Sequence, residues 1–286
     1  MNSSEEAARC PRRVDLHTHS RCSDGLLSPG ALVALAAKRN VELLALTDHD
    51  TVAGCELAGT ACAAHAIRFV SGVELSCEWR EREIHVVGLG IDLNDASLLA
   101  HCDAQLERRR QRMRRMAERL SLAGLPGAEL GAIALAAPVP TRTHLARALW
   151  TLELADSVAD GFERWLKRGR PGYVRAQWPS LAQTVLRIVT AGGVAVLAHA
   201  HRYAISHGVL RELVGEFKAA GGAGIEVSLA GMSPADADRL AAIARRYELA
   251  GSIGSDFHEP DLPWRPLGRF AKLRDLITPI MARLEP

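Results

Sequence analysis

The sequence predicts an α/β fold built on a parallel sheet, either open or closed into a barrel. Two observations carry this reading. Short runs rich in Val, Ile and Leu alternate with Ala/Leu-rich patterns at helical spacing. Several of these runs also end in a polar residue suited to chemistry, and in such folds functional groups gather at the carboxyl ends of the strands.

The elements follow in order. Val14-Asp15-Leu16 runs into His17 as the first strand, and Pro29 to Arg39 reads as a helix with Ser28 before a first-turn proline. Leu43 to Thr47 leads to Asp48-His49, and a second helical pattern covers Leu57 to Ala64. Phe69-Val70 precedes Ser71-Gly72-Val73-Glu74, and the run Ile84 to Gly88 encloses His85. After a long interruption come a helix over Leu181 to Ala191 and the run Val194 to Ala198 before His199. A helix over Leu210 to Ala220 follows, then Gly224 to Val227, a helix over Pro234 to Tyr247, and Gly251 to Gly254 before Ser255-Asp256.

The interruption runs from about Ala100 to Tyr173 and shows only helical segments and a Gly/Ala/Pro-rich stretch, Gly124 to Pro140. It reads as a helical insertion (100–173) in a unit made of 12–99 and 174–286. One of its helices carries Arg108, Arg109, Arg110, Arg112, Arg114, Arg115 and Arg119, with an apolar stripe of Leu106, Met113, Met116 and Leu120. Most of those arginines are expected on a solvated face.

Composition excludes several classes. With 286 residues, 48% of them apolar, the chain has enough material for a large core and is not disordered overall. No apolar run approaches the length of a membrane span, and Met1 to Arg13 has acidic residues but no apolar signal-peptide core. The six cysteines (Cys10, Cys22, Cys55, Cys62, Cys77 and Cys102) form no Cys-x-x-Cys pair. They are expected as free thiols in a reducing cytoplasm. No solenoid repeat is visible.

The chemistry sits at the run ends. His17-x-His19 places two imidazoles on one side of a strand. Asp24 lies in the turn Cys22-Ser23-Asp24-Gly25, and Thr47-Asp48-His49-Asp50 puts three polar groups where packing alone has no use for them. Glu74, His85, His199, Asp256 and His258 complete a set of nitrogen and oxygen donors. Singly, each has an ordinary explanation: a core histidine, an Asp-Gly turn. Together they describe one cluster able to hold two or three divalent ions, and a His/carboxylate set without thiolates suits Zn, Mn or Fe.

These motifs, with Leu46-Thr47-Asp48-His49-Asp50, Leu197-Ala198-His199 and Ser255-Asp256-x-His258, resemble the polymerase and histidinol phosphatase (PHP) family. The resemblance covers the chain outside the insertion and implies a distorted (β/α)7 barrel of the amidohydrolase-like kind. It implies that His17, His19, Glu74 and Asp256 surround one ion, that Glu74 bridges to a second held by His85 and His199, and that Asp24, His49 and His258 hold a third. Many members carry histidine where Asp24 stands. The segments Thr141 to Leu149 and Gly169 to Val174, and Arg202-Tyr203 after His199, resemble the branch of nucleoside 3',5'-bisphosphate phosphatases and 5'-3' exoribonucleases. Where members often have Pro-Gly after that histidine, this chain has Ala200-His201.

The resemblance thus implies a cytoplasmic phosphoric monoester hydrolase with Mn as the favoured ion, acting on a nucleotide such as adenosine 3',5'-bisphosphate to give AMP and phosphate. A hydroxide shared by two ions would attack phosphorus. The second phosphate calls for arginine forks outside the metal cluster. The candidates are Arg108, Arg109 and Arg112, the segment Arg142-Thr143-His144, and Arg202, with His201 as the acid for the leaving oxygen. A 5'-3' exonuclease on short oligonucleotides is the first alternative, against which the 5% aromatic content argues mildly. Histidinol phosphate phosphatase is disfavoured, since its substrate carries one phosphate and an amine. A metal-binding regulatory module without catalysis is the alternative of another class, although every expected ligand position is filled. No membrane or obligate protein partner is expected.

Overall fold

The computed structural model describes residues 13–261, 264–273 and 277–284, so Cys10 lies outside the described residues. Seven strands form one sheet in chain order: β1 (Val14–Asp15), β2 (Leu43–Leu46), β3 (Arg68–Trp79), β4 (Arg82–Leu89), β5 (Val194–Leu197), β6 (Gly224–Leu229) and β7 (Ala250–Gly254). The first and last meet just beyond their ends. His17 O accepts from Asp256 N at 2.9 Å, and His19 N donates to Phe257 O at 2.9 Å. The sheet is therefore a nearly closed barrel.

One strand departs from the parallel sheet that the strand–helix alternation predicts. β4 is antiparallel to both β3 and β5. Only Arg80 and Glu81 separate β3 from β4, both with left-handed backbone (φ 45° and 63°), as a tight hairpin turn requires. A parallel return would need a crossover far longer than that.

Alternation along the strands sorts the side chains. Leu44 and Leu46 face the outer helices α1 (Pro29–Lys38) and α2 (Cys55–Ala64), whereas Leu43 and Ala45 join Val14, Leu16, Val87, Leu89, Val196 and Ala198 in the barrel interior. The C-terminal turn at Ile280 closes that interior, with Ile280 packed on it at 1% exposure. On β3, Val73, Leu75 and Cys77 point outward to the helices, which leaves Glu74 and Ser76 on the inner face. The outer helices α7 (Leu181–Thr190), α8 (His207–Ala219) and α9 (Pro234–Arg246) begin at serine caps: Ser180, Ser206 and Ser233 each accept a backbone N–H with the side-chain oxygen.

Between β4 and α7 lies the helical insertion. It comprises α3 (Ala96–Leu122), α4 (Gly127–Leu135), α5 (Arg142–Thr151) and α6 (Val158–Gly161), the last continuing into a π turn at Phe162–Leu166. α4 forms inside the Gly/Ala/Pro-rich stretch that shows no helical signature of its own. Met113, Met116, Leu120, Leu130, Leu145, Leu149 and Leu166 make a separate apolar core. Of the α3 arginines, Arg114, Arg115 and Arg119 are exposed, but Arg109 and Arg112 are buried against the barrel. Arg109 donates to Asp50 Oδ2 at 2.7 Å and to Ser76 Oγ at 2.8 Å, and Gln105 donates to Ser76 O at 2.7 Å. These polar contacts fasten the insertion to the strand ends.

Candidate metal centre

Each donor predicted at a strand end arrives at the same mouth of the barrel. His17 and His19 leave β1, His49 leaves β2, Glu74 and His85 lie on β3 and β4, His199 follows β5, and Asp256 and His258 follow β7. His199 and Asp256 have left-handed backbone (φ 29° and 52°), a conformation non-glycine residues adopt at a cost. It turns the chain sharply at the strand end.

Glu74 is the hub. Its Oε1 lies 3.0 Å from His85 Nδ1 and 2.8 Å from His199 Nε2, while its Oε2 lies 3.0 Å from His49 Nδ1 and 3.3 Å from both His17 Nε2 and His19 Nε2. Asp256 Oδ1 stands 3.5 Å and 3.3 Å from the same His17 and His19 nitrogens. On the other side, Asp24 Oδ1 lies 3.3 Å from His258 Nε2 and 3.8 Å from His49 Nε2. The donors converge as three groups: His17, His19 and Asp256; His49, Glu74 and His85; and His19, Asp24, His49 and His258. His19 and His49 thus each serve two groups.

This arrangement fits cations better than a hydrogen-bond network. His17 Nδ1 lies 2.6 Å from Glu226 Oε1, so that nitrogen carries the proton and Nε2 turns its lone pair inward. His17 Nε2 and His19 Nε2 are then only 3.1 Å apart, a contact that a shared positive ion relieves. Glu74 Oε2, Asp24 Oδ1 and His49 Nδ1 are buried without a hydrogen-bond partner of good geometry, despite their close neighbours. Orphaned buried groups of this kind are rare unless something else satisfies them. Among the described residues no thiol joins the cluster, and Cys22, Cys55, Cys62, Cys77 and Cys102 are free.

Without ions the cluster balances its charge with protons. Burial opposes a charged imidazole at His19 and His85, but Asp256 and Glu74 at the first, and Glu74 and Glu83 at the second, raise them to about 9 and about 10. Burial lowers His49 and His199, and their carboxylate neighbours do not reverse it. Burial likewise opposes charge on Glu74, but His49, His17 and His85 hold its carboxyl well below the usual range. Asp256 is held down too, against burial, chiefly by Arg202, His17 and Arg265.

Above the donors opens a cavity of about 230 Å³. Its floor is Asp24, His49, Glu74, His85, His199, Asp256 and His258, and its wall includes Arg109, Arg112, Arg142, Thr143, Arg202, Arg265 and Phe162. The predicted arginines differ in what already engages them. Arg109 is committed to Asp50 at 2.6 Å, and Arg112 donates to Val174 O at 3.0 Å and lies 3.2 Å from Glu83. Arg202 pairs with Asp256. Among the described residues Arg142 has only a distant acidic partner, Glu83 at 3.6 Å. Arg108, His144 and His201 are not on the wall of this cavity. Arg108 donates to Gln105 at 3.3 Å, and His144 lies 3.1 Å from Thr141 N and Oγ1 in the capping box of α5. Burial and the neighbouring Arg202 lower His201 to about 4, leaving it unprotonated at neutral pH.

Several residues matter to which sequence reasoning gave no role. Glu226 accepts from His17 and, at 2.5 Å, from His199 N. Its one signal was a carboxylate in the apolar run of β6. Asp48 does not face the cluster; it accepts from Ser20 N at 2.7 Å and from Ser20 Oγ and Ser23 Oγ at 2.6 Å, shaping the turn that presents Asp24. Asp50 holds Ser76 N at 2.8 Å besides Arg109. Thr141 Oγ1 donates to Asp24 Oδ2 at 3.0 Å, and Arg147 donates to Asp24 O at 2.8 Å. The insertion therefore touches a candidate ligand directly.

A seven-stranded barrel with a buried His/carboxylate cluster at its mouth defines the class of metal-dependent phosphoesterases. Residues 15–167 match the PHP domain, and the chain belongs to that family. It is 44% identical over 258 residues to the 5'-3' exoribonuclease Rnm of Escherichia coli (strain K12), spanning 89% of this chain and 88% of that one. To the 3',5'-nucleoside bisphosphate phosphatase of Chromobacterium violaceum it is 41% identical over 274 residues, spanning 95% and 96%. An amidohydrolase from Chromobacterium violaceum, solved with bound sulfate and no metal, superposes with a TM-score of 0.90 at 39% identity over 95% of each chain.

Proposed function

We propose that this chain hydrolyses a phosphomonoester of nucleoside 3',5'-bisphosphates, such as adenosine 3',5'-bisphosphate, releasing phosphate and a nucleoside 5'-monophosphate. The observation that carries the reading is a single cavity with a donor floor and an arginine-bearing wall. The near full-length similarity to a bisphosphate phosphatase supports it.

His17, His19, Asp24, His49, Glu74, His85, His199, Asp256 and His258 would hold two or three divalent ions, with manganese favoured and iron or zinc as alternatives. Bound there, such ions lower the pKa of water and neutralise phosphoryl oxygens. The chain's own groups do the rest. Glu226 keeps the proton on His17 Nδ1 and braces the His199 backbone, which fixes two imidazoles on opposite sides of Glu74. Arg202 and Arg265 hold Asp256 charged and in place. Arg142 is the least committed guanidinium on the wall and takes the second phosphate, and Phe162 offers the base an apolar face. In this reading residues 100–173 form a substrate-binding insertion on the barrel of 12–99 and 174–286.

Among the described residues no helix is long and apolar enough to cross a membrane, and we place the enzyme in the cytoplasm with a small nucleotide as its partner. The second reading, a 5'-3' exonuclease on short oligonucleotides, is favoured by the similarity to the exoribonuclease Rnm. The deciding experiment is phosphate release by manganese-loaded protein from a nucleoside 3',5'-bisphosphate, a nucleoside monophosphate and a 5'-phosphorylated dinucleotide. The proposal expects the bisphosphate to be turned over fastest, with loss of activity on chelation or in His199→Ala. A dinucleotide turned over faster than the bisphosphate would favour the exonuclease, and no turnover of any substrate would leave a binding module.

A further inference from the structure

One carboxylate on the wall of the metal cavity is out of place for the proposed reaction. Asp24, Glu74 and Asp256 belong to the donor floor, but Glu83 stands among the arginines, where a phosphate is to bind. A fixed negative charge there repels the substrate. Its contacts supply a reason for it. Glu83 and His85 lie two residues apart on β4, so their side chains share a face. Glu83 Oε1 lies 3.6 Å from His85 Nε2, while His85 Nδ1 lies 3.0 Å from Glu74 in the donor cluster. Glu83 Oε2 accepts from Arg112 at 3.2 Å and lies 3.6 Å from Arg142. One oxygen thus faces a candidate metal ligand, and the other faces the candidate anchor of the second phosphate. Arg112 keeps the carboxylate from swinging away, because this buried guanidinium also donates to Val174 O at 3.0 Å and lies over the Trp178 ring at 5.8 Å.

We infer that Glu83 is a positioning residue that joins the two parts of the site: it orients His85 toward the donor cluster and restrains Arg142. The inference rests on the reading that Arg142 takes the second phosphate of a nucleoside 3',5'-bisphosphate. Toward His85, Glu83 repeats what Glu226 does for His17. An imidazole that turns one nitrogen to a cation commonly presents its other N–H to a carboxylate, which fixes tautomer and ring angle. At 3.6 Å the pair with His85 is loose, and Arg142 draws on the same carboxylate. A phosphate that takes Arg142 leaves Glu83 to Arg112 and His85 alone, so its hold on the His85 N–H is less divided. The second phosphate is thereby read twice, as affinity at Arg142 and as order at His85. A substrate with one phosphate lacks the second effect. Glu83 therefore weakens anion binding in general and favours the doubly phosphorylated substrate in turnover.

The test is Glu83→Gln, which keeps the size of the side chain and an acceptor for Arg112, beside Arg142→Ala and the double variant. Titration calorimetry on metal-free protein reads two affinities. Manganese should bind about ten-fold more weakly to Glu83→Gln, and a nucleoside 3',5'-bisphosphate about three-fold more tightly. In the Arg142→Ala background most of that three-fold gain should vanish. With manganese saturating, kcat for the bisphosphate should fall about ten-fold and that for an aryl phosphate about three-fold, while KM for the bisphosphate falls as well. If Glu83→Gln does not fold, Glu83→Asp keeps the charge, shortens the reach to His85, and should weaken manganese binding in the same direction. Unchanged manganese affinity would overturn the link to His85. A KM raised equally for both substrates would mark Glu83 as a prop for Arg112 and overturn the whole inference. A wild type that binds manganese but no bisphosphate would overturn the proposed substrate and the role at Arg142 with it. The manganese affinity of Glu83→Gln would then decide the link to His85 by itself.

Discussion

The barrel mouth and the helical insertion solve opposite problems. At the mouth, Glu74, Asp256 and a ring of imidazoles are buried with their charges a few ångströms apart, an arrangement that only cations or protons can neutralise. The insertion has an ordinary core of Leu, Met and Ala, and it carries most of its charge on the outside. Only the arginines facing the barrel are buried, and each is matched: Arg109 by Asp50, Arg112 by Glu83. The difference teaches where the two halves of the function reside. In the proposed reading, bond breaking belongs to strand ends that cannot move without losing the ligand set, and substrate choice to helices with a separate core.

The largest expected effect tests the first half of that contrast. Glu74→Gln removes the charge on which three imidazoles act from one oxygen and two from the other. Turnover should fall by about 10³-fold or more for every phosphomonoester, with metal content reduced and the circular dichroism spectrum retained. Selective loss on one substrate would show that Glu74 reads the nucleotide rather than the ions.

Metal loading should also release protons. His19 and His85 titrate at about 9 and about 10 in the ion-free cluster, so below those values they are protonated and must lose a proton to donate a lone pair. Apparent affinity therefore rises as pH rises from 6 toward 9, by up to about ten-fold per pH unit for each proton displaced. Calorimetry in buffers of different ionisation enthalpy counts those protons directly. Binding with no buffer dependence would mean that the imidazoles are already unprotonated.

The second half of the contrast predicts a substrate-specific effect. Arg142→Ala should raise KM for a bisphosphate about ten-fold or more, the scale of one charge-assisted phosphate contact, and leave an aryl phosphate within about two-fold. Arg202→Ala should behave differently despite lining the same cavity. Its partner is Asp256, so both substrates should suffer together. If Arg142→Ala also damaged both, the anchor would not be separable from the metal cluster.

How much of this was legible depended on whether the signal was local. His17-x-His19, Asp48-His49 and Asp256-x-His258 end apolar runs, so pattern and chemistry coincide within a few residues. Glu226 stood in an equally visible strand, but its meaning lies in His17, 209 residues away. The same holds for Asp50, whose partner Arg109 lies on a helix that reads as solvated, and for Arg265, which joins Asp256 from a loop without pattern. The parallel sheet was visible as strand–helix alternation, and its closure into a barrel came from the family resemblance. The reversal of β4 was not visible, because it depends on two turn residues in left-handed backbone that carry no glycine or asparagine signature.

The smallest expected effect probes the seam between the two regions. Thr141 caps α5, accepting from Thr143 N at 3.2 Å, and also donates to Asp24 Oδ2, so one hydroxyl ties the insertion to a candidate ligand. Thr141→Ala should cost about 1 kcal/mol of stability through the lost cap. If the seam matters to the centre, it should also lower kcat/KM a few-fold for both bisphosphate and aryl phosphate, because Asp24 is then held by one fewer donor. Thr141→Ser keeps both hydrogen bonds and should restore stability and activity alike. A variant that melts earlier but turns over normally would mean that Asp24 is positioned by the barrel alone, through the turn that Asp48 shapes. The insertion would then set substrate choice without touching the chemistry.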